Sequence, residues 1–258
     1  MDLHLTDSVV VITGGTKGIG LACTREFLKE GARVMVCARS QKDIDAFNAD
    51  HDPKEAFAIQ ADVSQPEDME KLAAAAVSRF GGLDVWVNNA GIYPRGYLEE
   101  MPLDLWKKTF DINVNGVFYG ARAAIPHMKA RKKGVILNAA SFAAIMPTAT
   151  RGAYGITKAA VNHITKVLGS ELAPDNIRVV SYMPGFIVTD LTTDVIDEYA
   201  LNEIKHQVAQ NRYGTPEEVA SVVAFLASDA ASFITGCGVE MSGGKYCVQN
   251  PHMVWDKC

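Results

Sequence analysis

Seven short apolar runs, rich in β-branched residues, recur along this chain and are separated by longer segments of helical character. Continuous apolar runs of this length are typical of strands covered on both faces of a parallel sheet. The alternation predicts repeated βαβ units in one doubly wound α/β (Rossmann) sheet of about seven strands, with helices on both faces. The predicted strands are Val9–Thr13, Arg33–Cys37, Ala56–Gln60, Val85–Asn88, Val135–Asn138, Arg178–Tyr182 and Val239–Met241. The predicted helices include Gly18–Glu30, Pro66–Phe80, Leu103–Lys129, Tyr154–Ala173 and Pro216–Ala227.

No linker, internal repeat or low-complexity tract divides the 258 residues, so we expect a single domain over residues 1–258. Sheets of this kind bind ligands beyond the carboxyl ends of their strands, where the strand order reverses. Within the domain, residues 190–212 are expected to form a variable substrate lid. Residues 245–258 form an extended tail that either closes a neighbouring subunit's site or lies on its own surface.

Charge and cysteine usage exclude several classes of protein. A net charge of −5 provides no basic field for nucleic acid, and no apolar stretch is long enough to span a membrane. The five cysteines are scattered and the six histidines share no ligand spacing, which favours reduced thiols and no metal site. We therefore expect a soluble cytoplasmic protein without nucleic-acid or membrane partners. Cys23 and Cys37 lie in apolar segments and are expected in the core, whereas Cys258 ends the chain.

The first predicted strand runs directly into a glycine-rich loop, Thr13–Gly20, that opens a helix. Such glycines permit a tight turn and a close approach of the backbone to a pyrophosphate, which the helix N-terminus then binds. The spacing of Gly14, Gly18 and Gly20 departs from the usual dinucleotide fingerprint. The loop alone is a weak signal, since an ordinary strand-to-helix turn can look the same.

The end of the second predicted strand indicates which nicotinamide cofactor is used. An NAD site needs an acid at this point to accept hydrogen bonds from the ribose hydroxyls, but Ala38 stands here. Arg39 offers a planar fork suited to a 2′-phosphate, and Lys17 is a second candidate cation. The alternative is that both are solvated surface charges. The missing acid favours NADP(H).

Tyr154 and Lys158 share one face of a predicted helix, since they are four residues apart. A nearby ammonium, helped by a cationic nicotinamide, stabilises a phenolate, which predicts a Tyr154 pKa nearer to neutrality and a role as acid/base. Ser141 follows a predicted strand, and its hydroxyl can polarise a carbonyl oxygen. Asn113 lies within the long predicted helix, where it can also be a simple polar face residue.

Taken together, these motifs resemble the short-chain dehydrogenase/reductase family over nearly the whole chain. The motifs, in chain order, are Thr13–Gly20, Asp62 with Val63, Asn88 to Gly91, Asn113, Ser141, Tyr154 with Lys158, and Pro184 with Gly185 followed by Thr189. The resemblance implies a ketone–alcohol oxidoreductase with NADP(H) and a homotetramer whose pairing helices are Leu103–Lys129 and Tyr154–Ala173.

The resemblance also implies the roles of individual residues. Tyr154 is the proton donor, Lys158 binds the nicotinamide ribose and lowers the Tyr154 pKa, Ser141 orients the substrate oxygen, and Asn113 holds a water. Asp62 and Val63 flank the adenine, and Ile187 with Thr189 engages the nicotinamide carboxamide. The full expected cofactor site consists of Gly14, Thr16, Lys17, Gly18, Ile19, Gly20, Arg39, Asp62, Val63, Asn89, Ala90, Gly91, Tyr154, Lys158, Pro184, Gly185, Ile187 and Thr189.

Two other classes of function fit the chain less well. A non-catalytic binding module of this fold usually loses the tyrosine, lysine or serine, and all three are present here. A sugar-nucleotide epimerase usually has a different glycine loop and an acid at the end of the second strand, and both features are absent.

Among reductases, two substrate classes remain open. The expected pocket wall is mostly apolar and consists of Phe142, Ile145, Met146, Met183, Phe186 and Leu191. It favours a free, fairly bulky apolar molecule such as a hydroxysteroid or an aryl ketone. The alternative is a 3-oxoacyl-(acyl-carrier-protein) reductase, which needs basic patches for an acidic carrier. A candidate patch exists at Lys129–Lys133, but Asp175 puts an acid where those reductases have a base.

Overall fold

The computed structural model describes residues 2–189, 203–245 and 247–257. Strands and helices alternate along the chain, as the apolar runs predict. The strands are β1 (Val9–Thr13), β2 (Arg33–Ala38), β3 (Ala56–Gln60), β4 (Val85–Asn88), β5 (Gly134–Ala139), β6 (Ile177–Pro184) and β7 (Cys237–Met241). The helices are α1 (Gly18–Lys29), α2 (Gln41–Asp50), α3 (Pro66–Phe80), α4 (Leu103–Phe110), α5 (Gly116–Arg131), α6 (Gly152–Glu171) and α7 (Pro216–Ala227), with 3-10 turns at Phe142–Ala144, Ala173–Asp175, Asp229–Ala231 and Pro251–Lys257.

The seven strands form one sheet in the order β3-β2-β1-β4-β5-β6-β7, and every neighbouring pair is parallel. The order reverses between β1 and β4, so a crevice opens beyond the carboxyl ends of these two strands. The predicted fold class, a doubly wound Rossmann sheet in a single domain, is confirmed.

Alternate residues of each strand enter different cores on the two faces of the sheet. Val10 and Ile12 pack with α1 and α7, whereas Val9 and Val11 pack with α3 and α5. Cys23 belongs to the first core and Cys37 to the second, and both are fully buried as expected. Burial on both faces explains why the strands are continuously apolar in sequence.

The predicted helix Leu103–Lys129 is wrong as one regular helix. Residues Asp111–Asn115 form a π-helical turn between α4 and α5. The Asn113 amide oxygen accepts a hydrogen bond from the Ile92 backbone N–H at 2.9 Å. Its amide nitrogen donates to the Ile92 carbonyl at 3.0 Å and to the Thr157 hydroxyl at 3.1 Å. These tertiary hydrogen bonds hold the turn at a point where sequence periodicity shows only a helix.

Helix α2 is absent from the predicted set. It is short and polar, burying only Ile44 and Phe47, so its apolar periodicity is weak. Ser40 caps it by accepting a hydrogen bond from the Asp43 backbone at 3.3 Å. No helix within the described ranges has the length and apolar character needed to cross a membrane.

Candidate active site

A cavity of about 610 Å³ opens at the carboxyl edge of the sheet. The loops that follow strands β1 to β6 line it, together with the first turns of α6. This is where the strand order reverses, so the cavity occupies the crevice expected to hold a cofactor.

The glycine loop after β1 has the geometry of a phosphate cradle. Gly14 and Gly18 have φ angles of 65° and 52°, values that residues other than glycine rarely adopt. A Cβ added at Gly20 would lie 2.1 Å from the Gly14 carbonyl oxygen, so α1 approaches the loop closely. Lys17, which precedes α1, makes no side-chain cap, so the first N–H groups of the helix remain available to an anion.

Asn89, which directly follows β4, hydrogen-bonds this loop. Its amide nitrogen donates to the carbonyl oxygens of Thr13, at 3.1 Å, and Gly14, at 3.3 Å. The Tyr182 hydroxyl, from β6, donates to the Asn89 amide oxygen at 3.2 Å. Sequence reasoning did not find Tyr182, because its role depends on strands that meet only in the folded sheet.

At the end of β2, Ala38 and Arg39 both line the cavity. Arg39 is exposed and pairs with no carboxylate of the described residues. The Lys17 ammonium, by contrast, binds the Asp43 carboxylate at 2.8 Å, and this hydrogen bond lowers the Asp43 pKa. Of the two cations expected to recognise a 2′-phosphate, Arg39 is therefore the one that no described carboxylate neutralises.

The catalytic candidates converge at the end of β5 and the start of α6. Ser141 begins the turn after β5, and its hydroxyl hydrogen-bonds the Tyr154 phenol. The Lys158 ammonium lies 5.5 Å from the Tyr154 ring centre and donates to the Ala139 carbonyl at 2.6 Å. All three side chains line the cavity.

In the protein without cofactor the pKa of Tyr154 shifts away from neutrality, and the predicted shift towards neutrality beside a cationic nicotinamide stays a prediction. Burial raises the pKa of Tyr154 to about 12, although the hydrogen bond from Ser141 acts in the opposite direction. Burial also lowers the pKa of Lys158 to about 8. In both cases the cause is desolvation, which penalises the charged form of each group. Tyr154 is therefore protonated at neutral pH, in the form that can donate a proton to a ketone.

Asn113 lies behind this group and does not line the cavity. It is fully buried, and its amide is held by the Ile92 backbone and Thr157. A Cβ added at Gly91 would lie 3.2 Å from the Asn113 amide oxygen and 3.6 Å from the Lys158 ammonium. Gly91 thus allows Asn113 to approach Lys158, whereas the water that the resemblance assigns to Asn113 remains a prediction.

The expected cofactor site forms one continuous surface. Gly20 is the exception, since it packs beneath the Gly14 carbonyl and does not line the cavity. The lining residues are Gly14, Thr16, Lys17, Gly18, Ile19, Arg39, Asp62, Val63, Asn89, Ala90, Gly91, Tyr154, Lys158, Pro184, Gly185, Ile187 and Thr189. The glycine loop, the N-terminus of α1 and the lining residues Asp62 and Val63 fit a dinucleotide. The glycines allow its pyrophosphate to lie close to the backbone.

The expected substrate wall needs partial correction. Phe142 and Phe186 line the cavity, but Ile145 and Met146 are exposed outside it, and Met183 is buried in a small core cluster. Ile145 and Met146 directly follow the 3-10 turn at Phe142–Ala144. Leu191 and residues 190–202 of the expected lid lie outside the described residues. The lining residues that sequence reasoning missed include Tyr93, Ala143, Thr148 and Arg151.

The candidate basic patch lies at the amino edge of the sheet, opposite the cavity of its own subunit, because it directly precedes β5. Three of its cations are paired with acids at the same edge. The pairs are Lys129 with Asp175 at 2.8 Å, Arg131 with Asp84 at 3.0 Å and Lys133 with Asp229 at 3.0 Å.

The C-terminal tail contacts its own chain. The Trp255 indole donates to the Ala209 carbonyl at 2.9 Å, and the Lys245 ammonium donates to the Gln207 side chain at 3.1 Å. The tail therefore packs against the described end of the expected lid, residues 203–212.

Comparison with known proteins shows which family the chain belongs to. A family model described as Enoyl-(Acyl carrier protein) reductase matches residues 14–245. The chain is 38% identical to 3beta-hydroxysteroid dehydrogenase 1 of Eggerthella lenta, over 93% of this chain and 94% of that protein. It is 36% identical to the 3-oxoacyl-(acyl-carrier-protein) reductase FabG of Staphylococcus epidermidis, over 92% and 98%. A crystal structure of a short-chain type dehydrogenase/reductase from Mycobacterium marinum superposes with a TM-score of 0.87 at 32% identity, covering 96% of this chain and 98% of that one.

Fold and site together define an oxidoreductase of the nicotinamide-dependent Rossmann class. The chain belongs to the short-chain dehydrogenase/reductase family.

Proposed function

We propose that the protein is an NADP(H)-dependent oxidoreductase that interconverts a ketone and a secondary alcohol. The observation that carries this proposal is the cluster of Ser141, Tyr154 and Lys158 on one wall of the cavity, beside the glycine cradle. A proton donor, a hydroxyl for the substrate oxygen and a buried ammonium are what carbonyl reduction requires of the protein.

In the reductive direction, the substrate carbonyl oxygen binds between the Ser141 and Tyr154 hydroxyls. A reduced nicotinamide, if bound in the cavity, would supply a hydride to the carbonyl carbon. Tyr154 then transfers its phenolic proton to the developing alkoxide, and the Ser141 hydroxyl stabilises the charge on that oxygen. Lys158 stabilises the transient phenolate, since its ammonium lies 5.5 Å from the ring centre.

The preference for NADP(H) rests on Ala38 and Arg39. An aspartate at position 38 would repel a 2′-phosphate, whereas alanine does not. The Arg39 guanidinium is exposed on the cavity wall and has no counter-ion among the described residues, so it is available to form charge-assisted hydrogen bonds to that phosphate. Lys17 contributes less, because Asp43 already neutralises part of its charge.

The preferred substrate is a free, fairly bulky apolar ketone or alcohol. Phe142, Phe186 and Tyr93 provide aromatic surface on the substrate side of the cavity. The relative from Eggerthella lenta bears the name of a hydroxysteroid dehydrogenase, which supports this class. The second candidate is reduction of a carrier-linked 3-oxoacyl group, favoured by the similarity to the Staphylococcus epidermidis reductase. The paired state of the Lys129–Lys133 patch weighs against it.

A ketone panel with both cofactors tests this function. We expect free aryl ketones and oxosteroids to oxidise NADPH with one alcohol formed per NADPH consumed. The same molecules should be reduced with a higher kcat/KM than a carrier-linked 3-oxoacyl substrate at equal concentration. A higher specificity constant for the carrier-linked substrate would establish the second candidate instead. No NADPH oxidation with any carbonyl compound would contradict both.

We also expect a homotetramer, with a dimer as the smaller alternative. Helices α5 and α6 expose Phe118, Ile156 and Val167, an apolar face that pairing with a second copy would bury. Light scattering at micromolar concentration should give about four times the 27.9 kDa chain mass. Phe118→Asp should reduce this mass, whereas Phe118→Leu should not. A monomeric native protein would contradict the proposal. The cytoplasmic location expected from the sequence stays a prediction.

A further inference from the structure

Arg151 lines the cavity but belongs neither to the expected cofactor site nor to the proton-transfer group. It precedes α6 and lines the cavity close to Tyr154. The other basic side chains lining this cavity, within the described residues, are Lys17, Arg39 and Lys158. The first two belong to the phosphate and ribose end, and the third to the catalytic group. Arg151 is thus the remaining cation of the substrate side.

The Arg151 guanidinium has no protein counter-ion in the part of the chain that the structure describes. One of its terminal nitrogens donates to the Thr150 carbonyl at 2.9 Å and the Thr150 hydroxyl at 3.0 Å. None of the ion pairs found at 4.0 Å or less includes Arg151. A half-buried cation without a counter-ion is favourably placed to bind an anion that enters the cavity.

Stabilisation of α6 does not explain why an arginine stands at position 151. The helix runs for 20 residues, and Arg151 stands at its positive end, with no acid in the first turn. The helix dipole disfavours a cation at this end. An anion bound beside Arg151 would interact favourably with both the guanidinium and the α6 dipole. The bound anion would thus offset the unfavourable interaction between Arg151 and the helix.

Two contacts of Tyr93 limit the distance between this cation and the Tyr154 ring. The guanidinium carbon lies 5.2 Å from the Tyr93 ring centre, a cation–π contact. The Tyr93 ring in turn lies edge-to-face with the Tyr154 ring, with 4.6 Å between the ring centres. The guanidinium therefore lies no farther from the Tyr154 ring centre than these two distances combined, which one aromatic ring or a few methylene groups can bridge.

We propose that Arg151 binds a carboxylate of the substrate, so that the preferred substrate is an apolar ketone or alcohol that carries a carboxylate a short distance from its reacting carbon. This inference rests on the proposed ketone reductase function and narrows its substrate class. A guanidinium binds a carboxylate through two parallel hydrogen bonds, which also fixes the orientation of the carbonyl towards Tyr154. The phosphate of a carrier-linked substrate lies at the far end of a long pantetheine arm, too remote from the carbonyl for this position.

Matched acid and ester substrates test the proposal. With native enzyme and NADPH, 4-acetylbenzoate should have a kcat/KM at least tenfold above that of methyl 4-acetylbenzoate, mainly through a lower KM; tenfold corresponds to about 1.4 kcal/mol. Arg151→Gln should bring the acid-to-ester ratio close to one, and Arg151→Lys should restore part of it. An equal kcat/KM for acid and ester in the native enzyme would overturn the inference while leaving the ketone reductase in place.

A binding measurement separates the inference from the proposed function. The probe 4-tert-butylbenzoate has the carboxylate but no ketone to reduce. In calorimetric titrations of the enzyme–NADPH complex, it should bind the native protein at least tenfold more tightly than the Arg151→Gln variant. Thermal unfolding of the variant checks that it is folded. Equal affinities would reject the carboxylate site, whether or not any ketone is reduced.

Discussion

Replacing Tyr154 by phenylalanine should remove nearly all ketone reduction while leaving the protein folded and able to bind NADPH. The phenylalanine ring keeps the contact with Tyr93 and fills the same volume, but the proton donor is lost. General acid catalysis contributes about 10²- to 10⁴-fold to the rate of enzymes, so we expect kcat to fall by at least about 10²-fold. NADPH-linked ketone reduction measures the rate, and calorimetry measures the affinity for NADPH.

Tyr119→Phe is the matched control for this variant. Tyr119 lies on α5 in contact with the core and does not line the cavity, so removing its hydroxyl should leave kcat within a factor of about two. If Tyr154→Phe retained near-native turnover, the proton would have to come from another group, and the proposed mechanism would be wrong.

The double change Ala38→Asp with Arg39→Ile should reverse the cofactor preference. The new aspartate accepts hydrogen bonds from the ribose hydroxyls of NAD and repels a 2′-phosphate, while loss of Arg39 removes charge-assisted hydrogen bonds. Such bonds contribute about 1.5–3 kcal/mol each, so the ratio of kcat/KM for NADPH over NADH should change by roughly 10²-fold or more. Steady-state kinetics with each cofactor, at a fixed ketone concentration, measures this ratio.

Lys17→Gln provides the comparison for the cofactor prediction. Because the Lys17 ammonium already pairs with Asp43 at 2.8 Å, this single change should alter the preference less than Arg39→Ile alone. Equal efficiency of the native enzyme with both cofactors would contradict the assignment to NADP(H). A larger effect from Lys17 than from Arg39 would move the phosphate site to the glycine loop.

Local sequence signals account for the elements whose limits were predicted correctly. Helix α3 begins with Pro66 at its first turn and ends at Gly81, whose φ of 86° stops the helix. Helix α7 begins at Pro216 after a capping box between Thr215 and Glu218. These signals act over a few residues, and they are visible in sequence because the hydrogen bonds that they satisfy lie in the same turn.

The features that sequence reasoning missed have different causes. The π-helical turn at Asp111–Asn115 coincides with hydrogen bonds between Asn113 and both Ile92 and Thr157, which lie far from it along the chain. Helix α2 has few buried side chains, so its apolar pattern is too weak to predict it. Ile145 and Met146 are exposed outside the cavity, a placement that the sequence pattern does not specify.

The sequence by itself predicted the fold class, which the structure confirms, and it pointed to the glycine loop and to the Ser141, Tyr154 and Lys158 group that we propose as catalytic. Continuous apolar runs predict a sheet buried on both faces, and the spacing of Tyr154 and Lys158 places them on one helix face, because both patterns depend only on backbone geometry. The tertiary structure alone decided how these groups ionise and which cations remain available. Burial raises the pKa of Tyr154 to about 12. Asp43 neutralises Lys17, whereas Arg39 and Arg151 have no ion-pair partner among the described residues. Desolvation and ion pairing depend on which segments meet in space, and the order of residues along the chain does not specify those distances.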